Sequence, residues 1–174
     1  TNIVMANKGT VDKFIGDAIM TFWNAPVKQK HHPFLAAKTS LEMISKLKAL
    51  QSKWKSKGMP SLRVGIGINT GSAVVGNMGS ETRFDYTAIG DSVNLASRLE
   101  SLTKIYGVDI IVSEHTSKLI KDEFLLRELD YVRVKGRREP VAIYQLVSRK
   151  EETLPEWIHF YEEGLRLYRK RKWD

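Results

Sequence analysis

An α+β fold, a mixed and mainly antiparallel sheet with helices on one face, is what the order of elements along these 174 residues predicts. Three observations carry that expectation. Short β-branched and aromatic runs come in pairs around turn residues, as at 11–15 and 18–23 on either side of Gly16-Asp17. Between such pairs stand segments whose apolar residues recur at three- and four-residue spacing. The order is hairpin, helix, hairpin, strand, helix, strand, helix, two strands, helix, which is not the strand-helix alternation of a doubly wound parallel sheet.

Each element has a local reason. After the first hairpin, Asn24-Ala25-Pro26 breaks the run. Phe34, Ala37, Leu41, Ile44 and Leu47 then fall on one helical face, and Lys57-Gly58 with Pro60 ends that helix. Leu62, Val64, Ile66 and Ile68 alternate with Arg63, Gly65, Gly67 and Asn69, the period of a strand with one apolar face. The two glycines leave room on the other face for a close approach. Thr70-Gly71 reads as a turn into a strand at 73–75, giving a second hairpin, and 76–82 reads as a Gly/Ser/Asn loop. A short strand at 84–89 leads through Gly90 to Asp91, a good N-cap. Val93, Leu95, Ala96, Leu99 and Leu102 suit the buried side of the helix that follows, and Tyr106-Gly107 closes it. An apolar strand at 108–112 comes next, then a short helix capped by Ser113. Strands at 125–134 and 141–147 are joined through Lys135-Gly136-Arg137. Thr153 and Glu156 form a capping box with Pro155 in the first turn, opening a last helix with a stripe of Trp157, Phe160, Tyr161, Leu165 and Tyr168.

Composition narrows the function classes. The chain has no cysteine, so disulfides and thiolate metal sites are excluded. No apolar run approaches the roughly 18 residues needed to span a bilayer. The first residues lack an initiator Met, so a longer parent is expected. The net charge of +8 suggests an anionic partner. Much of it sits in Arg166, Arg169, Lys170, Arg171 and Lys172, which a solvated basic tail also explains, and no nucleic-acid-binding module is present.

The residues that could carry chemistry are few. Asp17 at a hairpin tip is either turn chemistry or a carboxylate placed for Mg²⁺, which takes one or two carboxylates and phosphate oxygens. Lys13 stands inside a mainly apolar strand, as an edge charge or a ligand contact. Asn94 and Arg98 are four apart on one helix and share a face, as a solvated face or a donor pair for a ligand. Lys135-Gly136-Arg137-Arg138 is a basic turn or a phosphate clamp.

Four stretches together resolve these choices. V-D-K-F-I-G-D-A-I-M at 11–20, G-I-G-I-N-T-G at 65–71, V-V-G-N-M-G-S at 74–80 with D-Y-T-A-I-G-D-S-V-N-L-A-S-R-L-E at 85–100, and V-K-G at 134–136 resemble the class III adenylate and guanylate cyclase catalytic domain. The similarity runs from about residue 3 to residue 148 in order and spacing, so 1–148 is expected to be the catalytic domain and 149–174 a helix leading to a linker or a further module. The implied fold is ferredoxin-like, or palm-like, with the N-terminal strand missing from this chain.

The resemblance also implies roles. Lys13 and Thr87 match the pair that reads the purine, Asn94 the residue that orients the ribose, Arg98 the one that steadies the transition state, and Lys135 a contact to the terminal phosphates. Asp17 matches the second of two aspartates that hold two Mg²⁺ or Mn²⁺ ions; the first belongs to a strand expected before residue 1. Asp12 is no substitute, because alternation would point it to the sheet face opposite Lys13. The family works as a two-fold dimer with sites at the interface, and this chain carries both halves of a site, as a homodimer requires.

The reaction expected is ATP to 3′,5′-cyclic AMP and pyrophosphate, in signalling, with an upstream regulatory or sensor domain and a cytoplasmic location. Thr87, where many members of the family have Asp, places the chain with a Thr-bearing, bacterial-type subgroup of adenylate cyclases. The fragment itself is expected to be weak or inactive for want of the first aspartate. The alternative is a catalytically degenerate domain that binds nucleotide or regulates. A diguanylate cyclase, of related architecture, would need a Gly-Gly-acidic-acidic-Phe turn where this chain has Ile15-Gly16-Asp17-Ala18.

Overall fold

The computed structural model describes residues 1–80, 82–133, 140–151 and 156–172. The elements are α1 (Asn2–Ala6), β1 (Thr10–Ile15), β2 (Ala18–Phe22), α2 (His32–Lys55), β3 (Ile66–Ile68), β4 (Val74–Ser80), β5 (Arg83–Ile89), α3 (Asp91–Tyr106), β6 (Ile110–Ser113), α4 (Glu114–Ile120), β7 (Phe124–Val132), β8 (Val141–Arg149) and α5 (Trp157–Arg169).

The centre is a four-stranded sheet in the order β3-β6-β8-β7. β3 and β6 run parallel, while β6 with β8 and β8 with β7 are antiparallel. Two hairpin-like pairs, β1-β2 and β4-β5, stand apart from it. The α+β class with a mixed, mainly antiparallel sheet is therefore as expected.

The covering of the sheet differs from the expectation of helices on one face. Side chains alternate along β6. Ile110 and Val112 point to a cluster containing Ala36, Ala37 and Ile44 of α2 and Ile120 of α4, whereas Ile111 points to a cluster containing Leu95 and Leu99 of α3. Helices thus pack on both faces.

β3 explains why α3 comes so close. A Cβ on Gly67 would lie 2.1 Å from the Ala96 carbonyl oxygen and 2.3 Å from the Glu100 nitrogen, and one on Gly65 would lie 2.1 Å from Thr103 Oγ1. The space that the two glycines leave is filled by the chain's own helix.

The strand expected at 62–68 is regular only over Ile66–Ile68. It does not form a hairpin with the next strand: its partner is β6, 44 positions on, and β4 pairs with β5 instead. The segment 76–82, read as a loop for its glycines, is strand as far as Ser80 because β5 supplies a partner along its whole length. Gly90, not Asp91, is the N-cap of α3, and the exposed Asp91 lies in the first turn, where a negative charge suits the helix dipole. Gly107 closes α3 in the left-handed region, as expected. Ser113 caps α4 by accepting from the Thr116 N–H.

Thr153 lies outside the described residues, and Glu156 is the N-cap of α5. The buried residue of α5 is Ile158, while Trp157, Phe160 and Tyr168 of the expected stripe are exposed. Arg127 of β7 fits between the Trp157 and Tyr161 rings, 4.9 and 4.3 Å from their centroids, and Arg169 pairs with Glu128. Part of the C-terminal basic charge therefore docks α5 on β7 instead of being solvated. No helix among the described residues is long and apolar enough to cross a membrane.

Candidate active site

The β1-β2 hairpin carries three charged residues of interest. Gly16, at φ 62°, makes the tip and leaves Asp17 exposed beside it. Further back, Val11 pairs with Thr21 but Lys13 pairs with Met20, so Asp12 is the extra residue of a β-bulge. Bulges break the period-two alternation and re-aim a side chain.

Asp12 is turned inward, its side chain fully buried. Its Oδ2 accepts from the Thr87 hydroxyl at 2.5 Å and from the Ala88 N–H at 3.3 Å. Its Oδ1 lies 3.4 Å from Lys13 Nζ and accepts no hydrogen bond. The expectation that Asp12 and Lys13 point apart is therefore corrected: the bulge lets their charged ends meet. Asp12 also brings Lys13 and Thr87, two residues expected to act together, to one carboxylate. The Phe22 and Tyr86 rings, 6.1 Å apart, hold the hairpin against β5 nearby.

Thr87 is almost fully buried on β5, opposite Gly76 of β4. β5 runs through Gly90 straight into α3, which carries Asn94 and Arg98. Leu95 and Leu99 are buried at 2% and 0% exposure and fix the rotation of α3. That rotation leaves Asn94 exposed and Arg98 half-buried, and among the described residues Arg98 makes no ion pair. Lys135 lies outside the described residues.

A metal would find one matched carboxylate, Asp17. Among the described residues there is no group of three or more His, Cys, Asp or Glu side chains that could hold an ion. Asp17 nevertheless fits Mg²⁺ as a partial ligand, since this ion keeps few protein ligands and completes its shell with phosphate oxygens and water.

A groove of about 710 Å³ lies elsewhere, lined by Asn69, Thr70, Asp91, Ser92, Ser113 and Glu114 among others, and it contains none of Lys13, Asp17, Thr87, Asn94 or Arg98. Beside it, Ser113 donates to Asn69 Oδ1 at 2.6 Å, Asn69 Nδ2 donates to the Ser92 carbonyl at 2.9 Å, and Thr116 donates to Thr70 at 3.0 Å. These bonds tie the start of α3 to β3 and α4. Nothing in the local sequence pattern pointed to this network. The sole sequence hint of the role of Asp12 was two adjacent opposite charges in an apolar strand.

The family model for the adenylate and guanylate cyclase catalytic domain matches residues 3–148. Adenylate cyclase 1 of Rhizobium meliloti (strain 1021) is 39% identical over 148 residues, which cover 85% of this chain and 22% of that protein. Adenylate cyclase of Anabaena cylindrica is 38% identical over 79% of this chain and 28% of that protein. The chain thus spans under a third of these relatives' length.

Among solved structures, the adenylyl cyclase CyaB from P. aeruginosa is 39% identical with a TM-score of 0.78, covering 87% of this chain and 79% of that one. The guanylyl cyclase Cya2 is 34% identical with a TM-score of 0.75, covering 86% and 75%. On its sequence match and its fold, the chain belongs to the class III adenylate and guanylate cyclase catalytic domain family.

Proposed function

We propose that this domain converts ATP to 3′,5′-cyclic AMP and pyrophosphate. The observation that carries the substrate choice is the meeting of Lys13 and Thr87 at Asp12. Adenine offers an acceptor at N1 and a donor amino group at C6. An ammonium can only donate and suits N1; a hydroxyl can accept from the amino group. Guanine reverses both groups. Relatives named adenylate cyclase support the same choice, although guanylyl cyclases are also among the structural neighbours.

In the reaction the ribose 3′-oxygen loses its proton and attacks the α-phosphorus in line. The new P–O bond forms as the bond to the β-phosphate oxygen breaks, and pyrophosphate leaves. Asn94 orients the ribose. Arg98, one turn further along α3, meets the charge that grows on the α-phosphate oxygens. Lys135 contacts the terminal phosphates. Two divalent cations, Mg²⁺ or Mn²⁺, with Asp17 as one carboxylate ligand, would stabilise the attacking and leaving oxygens together.

Lys13, Asp17, Asn94 and Arg98 stand on exposed or half-exposed surfaces of one chain, which supports a site completed by a second copy in a two-fold homodimer. On this reading residues 1–148 form the catalytic domain and α5 leads toward another part of a longer, cytoplasmic signalling protein with an upstream sensor or regulatory domain. Of the two metal aspartates that the family resemblance implies, these 174 residues supply Asp17, so alone they turn over weakly.

A second reading is a degenerate domain that binds nucleotide without turnover. Incubating the full-length protein with ATP and Mn²⁺ separates the two. Cyclic AMP and pyrophosphate in equal amounts support the first; a folded protein that binds ATP and forms neither product supports the second.

A further inference from the structure

Taking Lys13 and Thr87 as the purine readers leaves a question of polarity. A threonine hydroxyl has one proton to donate and two lone pairs that accept. Left to rotate, it would serve a 6-amino purine by accepting and a 6-oxo purine by donating, and would discriminate little. Asp12 removes that freedom. A carboxylate can only accept, so in the 2.5 Å contact between Thr87 Oγ1 and Asp12 Oδ2 the proton belongs to Thr87 and points at Asp12. The distance is that of a charge-assisted O–H···O⁻ bond.

The acceptor cannot easily turn away. The same Oδ2 is held by the Ala88 N–H at 3.3 Å, the Asp12 side chain is fully buried, and the β-bulge fixes its backbone. The other oxygen, Oδ1, accepts no hydrogen bond and faces Lys13 Nζ at 3.4 Å. One buried carboxylate therefore faces both readers.

We propose that Asp12 is a specificity-determining positioning residue: by taking the Thr87 hydroxyl proton it leaves Thr87 able only to accept from the substrate, and so selects a 6-amino over a 6-oxo purine nucleotide. This rests on the reading of Lys13 and Thr87 as the purine-contacting pair. Asp12 does not itself touch substrate; it acts through Thr87. Neither alternation along β1 nor the family motif assigns it this part.

The test is a double-mutant cycle in the full-length protein, read as the ratio of kcat/KM for ATP to that for GTP. Thr87→Val removes the hydroxyl and should narrow the ratio about 10-fold, the worth of one hydrogen bond. Asp12→Asn can donate its amide N–H to the Thr87 oxygen and free the hydroxyl proton to face a 6-oxo group, so it should narrow the ratio by about the same factor. In the Thr87→Val background Asp12→Asn should change it less than about 2-fold, since the group it acts through is gone.

If Thr87→Val narrows the ratio but Asp12→Asn does not, the proposal is wrong while the purine-reading assignment stands. Equal effects of Asp12→Asn in both backgrounds would show an action not routed through Thr87 and also overturn it. If Thr87→Val itself leaves the ratio unchanged, the assignment beneath the proposal fails. Should Asp12→Asn not fold, Asp12→Ala is read in its place; if neither folds, the carboxylate is structural and the proposal falls.

Discussion

Gly67 of β3 and Ala96 of α3 meet with no room for a side chain between them: a Cβ on Gly67 would stand 2.1 Å from the Ala96 carbonyl oxygen. The obstacle is helix backbone, which cannot rotate aside, so Gly67→Ala must push α3 off the sheet. Overpacking of this kind costs about 2–3 kcal/mol. For a chain of this size the expected fall in Tm is roughly 5–10 °C. A thermal melt checks it; a Tm within a degree or two of the parent would mean that α3 is not seated as described. Because Asn94 and Arg98 ride on the same helix, cyclase activity should fall as well.

Arg98→Ala should lower kcat about 10²–10³-fold, as removal of a single transition-state donor does, with little change in KM. Asp17→Ala should be similarly impaired. In a two-fold dimer that draws Asp17 from one chain and Arg98 from the other, mixing the two inactive variants rebuilds one intact site per mixed dimer. Random mixing then returns about a quarter of the parent activity. Mixtures as inactive as their components would argue that each site lies within one chain.

Tyr106 donates to Asp130 Oδ2 at 2.7 Å across the α3-β7 contact. Burial, then the hydrogen bond and the negative charge of Asp130, push its phenol up to about 12. In the unfolded chain it ionises near 10. A raised folded value means that the neutral form is favoured in the native state. Its stabilising contribution is therefore complete below about pH 10 and lost as the pH rises toward about 12. The advantage of the parent over Tyr106→Phe in urea midpoint should be constant from pH 7 to 9 and shrink above that range. A difference unchanged through pH 11 would contradict this account of the contact.

Much of this could be read from the sequence because local chemistry decided it. Gly107 had to close α3, Ser113 had to cap α4, and the spacing of Asn94 and Arg98 put them on one helical face away from Leu95 and Leu99. What could not be read depended on distant partners. Glycines made 76–82 look like a loop until β5 paired with it as far as Ser80. Ile66 and Ile68 gave no sign that their partner was β6, because parallel pairing is non-local. Alternation pointed Asp12 away from Lys13, and only the extra residue between Val11 and Lys13, visible once β2 is laid alongside, reverses that. The stripe on α5 misled for another reason: Trp157 serves as a flat surface for the Arg127 guanidinium and so stays partly exposed, while Ile158 is the residue buried.

The central claim is that the Lys13-Thr87 pair presents a donor and an acceptor that match adenine and mismatch guanine. The most direct measurement is the initial rate of cyclic AMP and of cyclic GMP formation by the full-length protein, with Mn²⁺ and with ATP and GTP at equal, subsaturating concentrations. Two reversed hydrogen bonds, each worth about 10-fold, place the expected preference for ATP at about 100-fold. Cyclic GMP formed as fast as cyclic AMP would contradict the claim.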